Sequence, residues 1–129
     1  MIGALAAMTV LSAATPPQVA RPQPVIVIRA IDDPARVHVR DEQLAAHIAF
    51  VETHFARYAM AGPILDEGGA MIGSLFILHA ADEADARAFM ADEPYVVHGL
   101  YGSLEYQTVR PAAGSWIGGV IWPPAGASP

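Results

Sequence analysis

Two short segments, VIVIRAI (Val25–Ile31) and MIGSLFIL (Met71–Leu78), are almost free of polar side chains. The first is rich in β-branched residues and ends at the sequence DDP, and each segment has the length of a β-strand. Strands with so few polar residues need apolar cover on both faces of the sheet that they form. The fold must therefore supply apolar partners on two sides of one sheet.

The other periodic segments predict two helices and two further strands. Residues Arg40–Phe55 are predicted as a helix with one apolar stripe, and ADEADARAFM as a second helix with Asp82 as its N-cap. The segments RYAMAGPIL and SLEYQTV (Ser103–Val109) are predicted strands. The residues of the apolar stripe, which recur at spacings of four, three and four, are Leu44, Ile48, Val51 and Phe55.

The order of these elements is β-α-β-β-α-β. This is the split βαβ pattern of ferredoxin-like α+β folds, in which four antiparallel strands carry two helices on one face. Because the helices cover only that face, the other face needs a different partner, and a second copy of the same sheet is the simplest one. The sequence therefore predicts a homodimer. The apolar tail AAGSWIGGVIW, which follows Pro111, is expected to pack at or near the dimer interface.

The first 24 residues have the composition of a leader followed by a linker. Ile2–Ala14 is apolar and has the length of a signal-peptide core, which is shorter than the roughly 20 residues of a membrane-spanning helix. The segment PPQVARPQP is typical of an extended linker, so the folded domain is predicted over residues 25–122. The pattern favours export to the periplasm, without stable membrane insertion after processing. A cytoplasmic location stays open, because no Lys or Arg precedes the apolar run.

Charge and composition exclude several classes of function. The net charge is −6, and the seven basic residues are all arginines scattered along the chain, so the basic patch of a nucleic-acid-binding protein is missing. There is no cysteine, which excludes disulfides, thiolate nucleophiles and cysteine metal sites. None of the five histidines is paired at the i, i+4 spacing of a helical metal site. No metal or cofactor is therefore predicted, and proton transfer is the main chemistry that remains.

His47 and the acid pair Asp92 and Glu93 are the candidates for that chemistry. His47 flanks the apolar stripe, where the alternative is a half-buried histidine that a backbone carbonyl satisfies. Pro94 stops the second helix and biases Glu93 towards an extended backbone, so the acids are presented from a fixed turn. A carboxylate there can fix the tautomer of an imidazole. The alternative is an ordinary solvated helix end.

Four segments, AHIAFVETHFARYAMAGPI, GSLFI, EPYVVHGLY and AAGSWIGG, together resemble the YciI-like (YCII-related) family over residues 25–119. The family signature has a histidine that opens a helix, an AGP strand end, a GS strand and a DPYV segment. The resemblance implies a dimeric α/β barrel of ferredoxin-like subunits. It also implies a functional histidine and acid, which are His47 and Glu93 here, with Asp92 directly upstream, and it places the serine of the GS strand at Ser74.

The chain departs from the family pattern at two positions. The residue before the proline is normally aspartate, and Glu93 is one methylene longer, so Asp92 could serve instead. The family often has an arginine three residues before the histidine. Here that position is Leu44, and Arg40 lies one turn further back, as the candidate for contact with the substrate.

The reaction that the resemblance implies is that of a lyase or isomerase acting on a small molecule, since some relatives are associated with dehydrohalogenation of chlorinated hydroquinones. Ser74 or Tyr95 could then hydrogen-bond a phenol or carbonyl oxygen of the substrate. A non-catalytic ligand-binding or accessory dimer is the alternative, because one fold hosts many functions.

Overall fold

The computed structural model describes residues 15–126, so the predicted leader Ile2–Ala14 lies outside the described residues. The chain forms two compact units. The larger comprises Gln23–Arg110, and the described part of the smaller comprises residues 15–22 and 111–126. Within residues 15–126, no helix combines the length and the apolar character needed to cross a membrane.

Four antiparallel strands form the sheet of the larger unit. They are β1 (Val25–Asp32), β2 (Tyr58–Leu65), β3 (Met71–Leu78) and β4 (Tyr101–Val109). Their spatial order is β2-β3-β1-β4, so the two apolar segments of the sequence are the two central strands. This antiparallel order is that of a ferredoxin-like sheet, and the predicted ferredoxin-like α+β fold is confirmed.

The main core lies between one face of this sheet and the helix α3 (Glu83–Met90). The side chain of Asp82 accepts a hydrogen bond from the backbone N–H of Asp85, which confirms the predicted N-cap. The strand residues of the core alternate along β1 and β3 and so share one face of the sheet. The buried residues of this core are Ile26, Ile28, Ala30, Phe76, Leu78, Ala86 and Met90.

The predicted helix over Arg40–Phe55 is wrong in its extent. The structure has two helices there, α1 (His38–Glu42) and α2 (Leu44–Thr53). They are separated at Gln43, where the backbone leaves the helical region with φ −104° and ψ 9°. The hydrogen bond from the His47 N–H to the Gln43 carbonyl still follows the helical pattern, so the chain bends at Gln43 and then continues as a helix.

Most residues of the apolar stripe are exposed. Leu44 and Ile48 are about half exposed, at 46% and 45%, and Phe55 is 77% exposed. The residue of this region that is buried is Val39 on α1, which packs with Tyr95 and Leu100. The segment LAAHIAFVET is apolar around most of its circumference, so the spacing of its large residues does not define which side meets the sheet.

The turn predicted after α3 is a short helix, α4 (Pro94–Val97). Pro94 occupies its first position, where a missing N–H and a fixed φ are tolerated. Glu93 is its N-cap residue and has an extended backbone, as predicted from the proline that follows it.

The smaller unit contains a short hairpin of β5 (Ala113–Gly114) and β6 (Gly119–Val120). Val120 exchanges backbone hydrogen bonds with the segment predicted as a linker: its N–H donates to the Pro17 carbonyl, and its carbonyl accepts from Val19. A Cβ at position 119 would lie 2.0 Å from the Pro17 carbonyl oxygen, so only glycine fits there. Part of PPQVARPQP is therefore paired with the C-terminal extension.

Candidate active site

A cavity of about 490 Å³ lies in the larger unit, between α1 and α2 on one side and β2 and β3 on the other. More than half of the residues that line it are apolar, and the polar ones come mainly from α1, α2 and β3. The lining residues are Arg40, Asp41, Leu44, His47, Ile48, Val51, Glu52, Ala61, Gly62, Pro63, Met71, Ser74, Phe76 and Tyr95.

His47 and Glu93 form a pair at the inner wall of this cavity. The His47 Nδ1 atom lies 2.5 Å from Oε1 of Glu93, whose side chain is fully buried. The other carboxylate oxygen, Oε2, accepts hydrogen bonds from the backbone N–H groups of Tyr95 and Val96, at 2.9 and 3.2 Å. Both oxygens of Glu93 are therefore engaged, one with the imidazole and one as the N-cap of α4.

The contacts of the imidazole ring leave one nitrogen for chemistry. A carboxylate can only accept hydrogen bonds, so the hydrogen of the neutral ring resides on Nδ1, and Nε2 is then an acceptor. The ring is stacked on Tyr95, with centroids 4.1 Å apart, and meets Phe76 edge-on at 6.4 Å. These contacts hold the ring plane in place. His47 also lines the cavity, and because Glu93 engages Nδ1, Nε2 is the ring nitrogen that remains for a ligand.

Asp92, the second acid of the predicted pair, is not brought to this site. It is exposed, and it is not among the residues that line the cavity. The N-cap geometry accounts for the difference, because the residue directly before Pro94 is the one whose carboxylate turns back over the first turn of α4. Asp92 is therefore a solvated acid near the helix end, whereas Glu93 is buried.

The predicted ligand contacts Arg40, Ser74 and Tyr95 do lie together at the cavity. The Arg40 guanidinium donates to both oxygens of Asp32, at 3.0 and 2.7 Å, and also to Oγ of Ser74, at 3.3 Å. The Tyr101 hydroxyl donates to the same Ser74 oxygen at 2.8 Å. The Tyr95 hydroxyl donates to the backbone carbonyl of Arg40, so it braces α1 instead of pointing a free donor at a ligand.

Sequence reasoning missed Asp32 and Tyr101. The sequence DDP indicates only that the first strand stops there. A signal was present, because Asp32 continues the even-numbered series of Ile28 and Ala30 along β1, whose side chains face the helices. A carboxylate in that series must be buried, and it is 8% exposed. A buried carboxylate needs a partner, which is Arg40.

Burial and the charges of Asp32 and Glu93 shift the pKa values of the surrounding groups. Burial raises the pKa of Tyr101, a hydrogen bond with Ser74 opposes the rise, and the charge of Glu93 adds to it. Burial also raises the pKa of Tyr95. For Arg40, burial acts to lower the pKa, but the hydrogen bonds and charge of Asp32 outweigh it, and the pKa is raised. At neutral pH the phenols are therefore un-ionised and Arg40 is charged.

All four tyrosines of the chain have a raised pKa, and burial is the largest cause in each. We expect tyrosinate absorbance to show no native tyrosine ionising at the unfolded value of about 10. The folded state binds these protons more tightly than the unfolded state does. The free energy of unfolding should therefore be undiminished at pH values below about 10, and it should fall as the pH rises through the raised folded pKa values. A native tyrosine that titrates at the unfolded value would contradict this. The four residues are Tyr58, Tyr95, Tyr101 and Tyr106.

Fold and cavity together define a ferredoxin-like α+β protein with a buried carboxylate that holds a histidine at a small-molecule-sized cavity. The sequence model of the YCII-related domain matches residues 25–110, which is two thirds of the chain. The chain belongs to the YCII-related domain family, which confirms the resemblance that the four sequence segments indicated.

A solved structure extends this comparison. The chain is similar to 5-chloro-2-hydroxyhydroquinone dehydrochlorinase (TftG) from Burkholderia phenoliruptrix AC1100, in its complex with 2,5-dihydroxybenzoquinone. The sequences are 27% identical, the TM-score is 0.61, and the similarity covers 70% of this chain and 96% of TftG. Among the curated proteins, none matches the chain.

Proposed function

We propose that this protein is a small-molecule enzyme that catalyses proton transfer, as a lyase or isomerase, with His47 as the general base. The observation that supports the proposal is the position of Glu93. Its buried carboxylate accepts from the imidazole through one oxygen and is fixed by two backbone N–H groups through the other. In its neutral form, an imidazole held in this way carries its hydrogen on Nδ1 and leaves Nε2 as an acceptor, which is the state that a general base needs.

The size and the lining of the cavity favour a small, ring-shaped substrate with hydroxyl or carbonyl groups. Its volume of about 490 Å³ falls within the range of small-molecule sites. Its walls are mostly apolar, while the Ser74 hydroxyl offers a polar contact for a hydroxyl or carbonyl oxygen. TftG, a dehydrochlorinase of a chlorinated hydroxyhydroquinone, is a relative whose substrate has these properties. Such an elimination releases one proton and one chloride ion, so it requires no oxidant or reductant.

The direct test uses the substrate of that relative. The wild-type protein should release chloride from 5-chloro-2-hydroxyhydroquinone under anaerobic conditions, and His47→Ala should reduce the rate by about 10²–10⁴-fold. A second assay detects proton transfer without a leaving group: hydroquinones incubated in D₂O are followed by NMR for exchange of ring hydrogens. Binding with neither chloride release nor exchange would favour the alternative, a non-catalytic ligand-binding domain.

We also propose that the protein is a homodimer. In β1 and β3, the residues that alternate with the core positions form the second face of the sheet, and they include Val27, Leu75 and Ile77. Leu44 and Met71 at the cavity are also about half exposed. Light scattering should give twice the 13.6 kDa of one chain at micromolar concentration. A monomer at that concentration would contradict the proposal.

A further inference from the structure

The cavity contains one arginine among its lining residues, and that arginine is already paired. Asp32 binds Arg40 through both of its oxygens, and the side chains of the two residues are only 5% and 15% exposed. A bidentate pair of this kind leaves little net charge for a ligand to meet. The guanidinium also donates to Ser74, which occupies a third N–H group.

The other charged groups of the site are acidic. Asp41 and Glu52 line the cavity, and Glu93 stands directly behind the imidazole of His47. Arg40 is the only arginine or lysine that lines the cavity within the part of the chain that the structure describes. The charges close to a bound ligand therefore sum to a negative value, and a ligand that carries a carboxylate would meet repulsion without a free cation to offset it.

We propose that this site selects uncharged hydroxylated ligands over carboxylate-bearing ligands of the same shape, and that Asp32 sets the preference by cancelling the charge of Arg40. This inference rests on the proposed function, because it concerns the ligand of the same cavity. Asp32 touches no ligand itself. It acts through Arg40 and is a positioning residue.

Two probes that differ by one carboxylate test the proposal: hydroquinone and 2,5-dihydroxybenzoate. Their dissociation constants can be measured by titration, from the changes in the NMR signals of the His47 ring. Hydroquinone should bind the wild type at least about tenfold more tightly than 2,5-dihydroxybenzoate. Asp32→Asn should remove most of that ratio, because it frees the positive charge of Arg40. Asp85→Asn is the matched control, since Asp85 pairs with Arg57 outside the cavity lining, and it should leave the ratio unchanged.

A measurement on the wild type covers the case in which Asp32→Asn does not fold. Added salt should strengthen the binding of 2,5-dihydroxybenzoate, because it screens repulsion, and should leave hydroquinone unaffected. If salt instead weakens the binding of the carboxylate, Arg40 acts as a free cation and the inference fails while the proposed function stands. An equal affinity for the two probes overturns it in the same way. If hydroquinone does not perturb the His47 ring at all, the proposed function fails and this inference fails with it.

Discussion

Replacing Glu93 with alanine is expected to lower the free energy of unfolding by about 3 kcal/mol. The substitution removes the N-cap of α4 and leaves the buried N–H of Tyr95, together with that of Val96, without an acceptor. It also removes the partner of the His47 Nδ1 atom and leaves a space at a fully buried position. All of these contacts belong to one side chain, so a single substitution removes them together.

The neighbouring acid provides the control. Asp92→Ala changes the same kind of residue one position earlier, where the side chain is exposed and lies outside the cavity lining, so we expect an effect within about 0.5 kcal/mol. Urea unfolding of both variants, followed by circular dichroism, measures the difference. Equal stabilities for the two variants would show that the buried contacts of Glu93 do not support the fold.

The sheet was predictable because its central strands can be recognised from the local sequence. VIVIRAI and MIGSLFIL have the length and composition of covered strands, and the structure places them at the centre of the sheet. The orientation of α2 was not predictable in the same way. Its sequence is apolar on most sides, so the face that meets the sheet is decided by tertiary contacts, among them the stacking of His47 on Tyr95.

The helix α4 shows why part of the site escaped prediction. PYVV is four residues long and contains two valines, which favour strands, so local propensity gives no reason to expect a helix. The helix forms where Pro94 occupies its first position and Glu93 caps it. The sequence indicated that Pro94 fixes the acid before it. It did not indicate that the same acid would serve both a backbone cap and an imidazole.

This double role also shows how a glutamate fits at the position where the family signature has aspartate. The backbone bonds of Oε2 anchor the carboxylate, and the extra methylene still leaves Oε1 directed at His47. The Glu93 carboxylate therefore caps α4 and, at the same time, accepts from the imidazole of His47, the proposed base. The two contributions can be separated by a substitution that preserves the shape of the side chain and changes only its hydrogen-bonding groups.

Glu93→Gln is such a substitution, and we expect it to reduce turnover by about 10²–10⁴-fold while the protein stays folded. Glutamine has one acceptor oxygen where glutamate has two, and the two backbone N–H groups and the imidazole Nδ1–H all need an acceptor. If the amide oxygen caps α4, the amide NH₂ group faces Nδ1. His47 must then carry its hydrogen on Nε2, and the nitrogen that meets the ligand is no longer a base.

The ¹⁵N chemical shifts of the His47 ring distinguish this outcome from simple damage. In the wild type the protonated nitrogen of the neutral ring should be Nδ1, and in Glu93→Gln it should be Nε2, with urea unfolding confirming that the variant is folded. Asp92→Asn removes a neighbouring charge without touching the pair, and should change neither the tautomer nor the rate. A Glu93→Gln variant that keeps its hydrogen on Nδ1 and its full rate would mean that the carboxylate does not set the state of the base. His47 would then act without the help of Glu93.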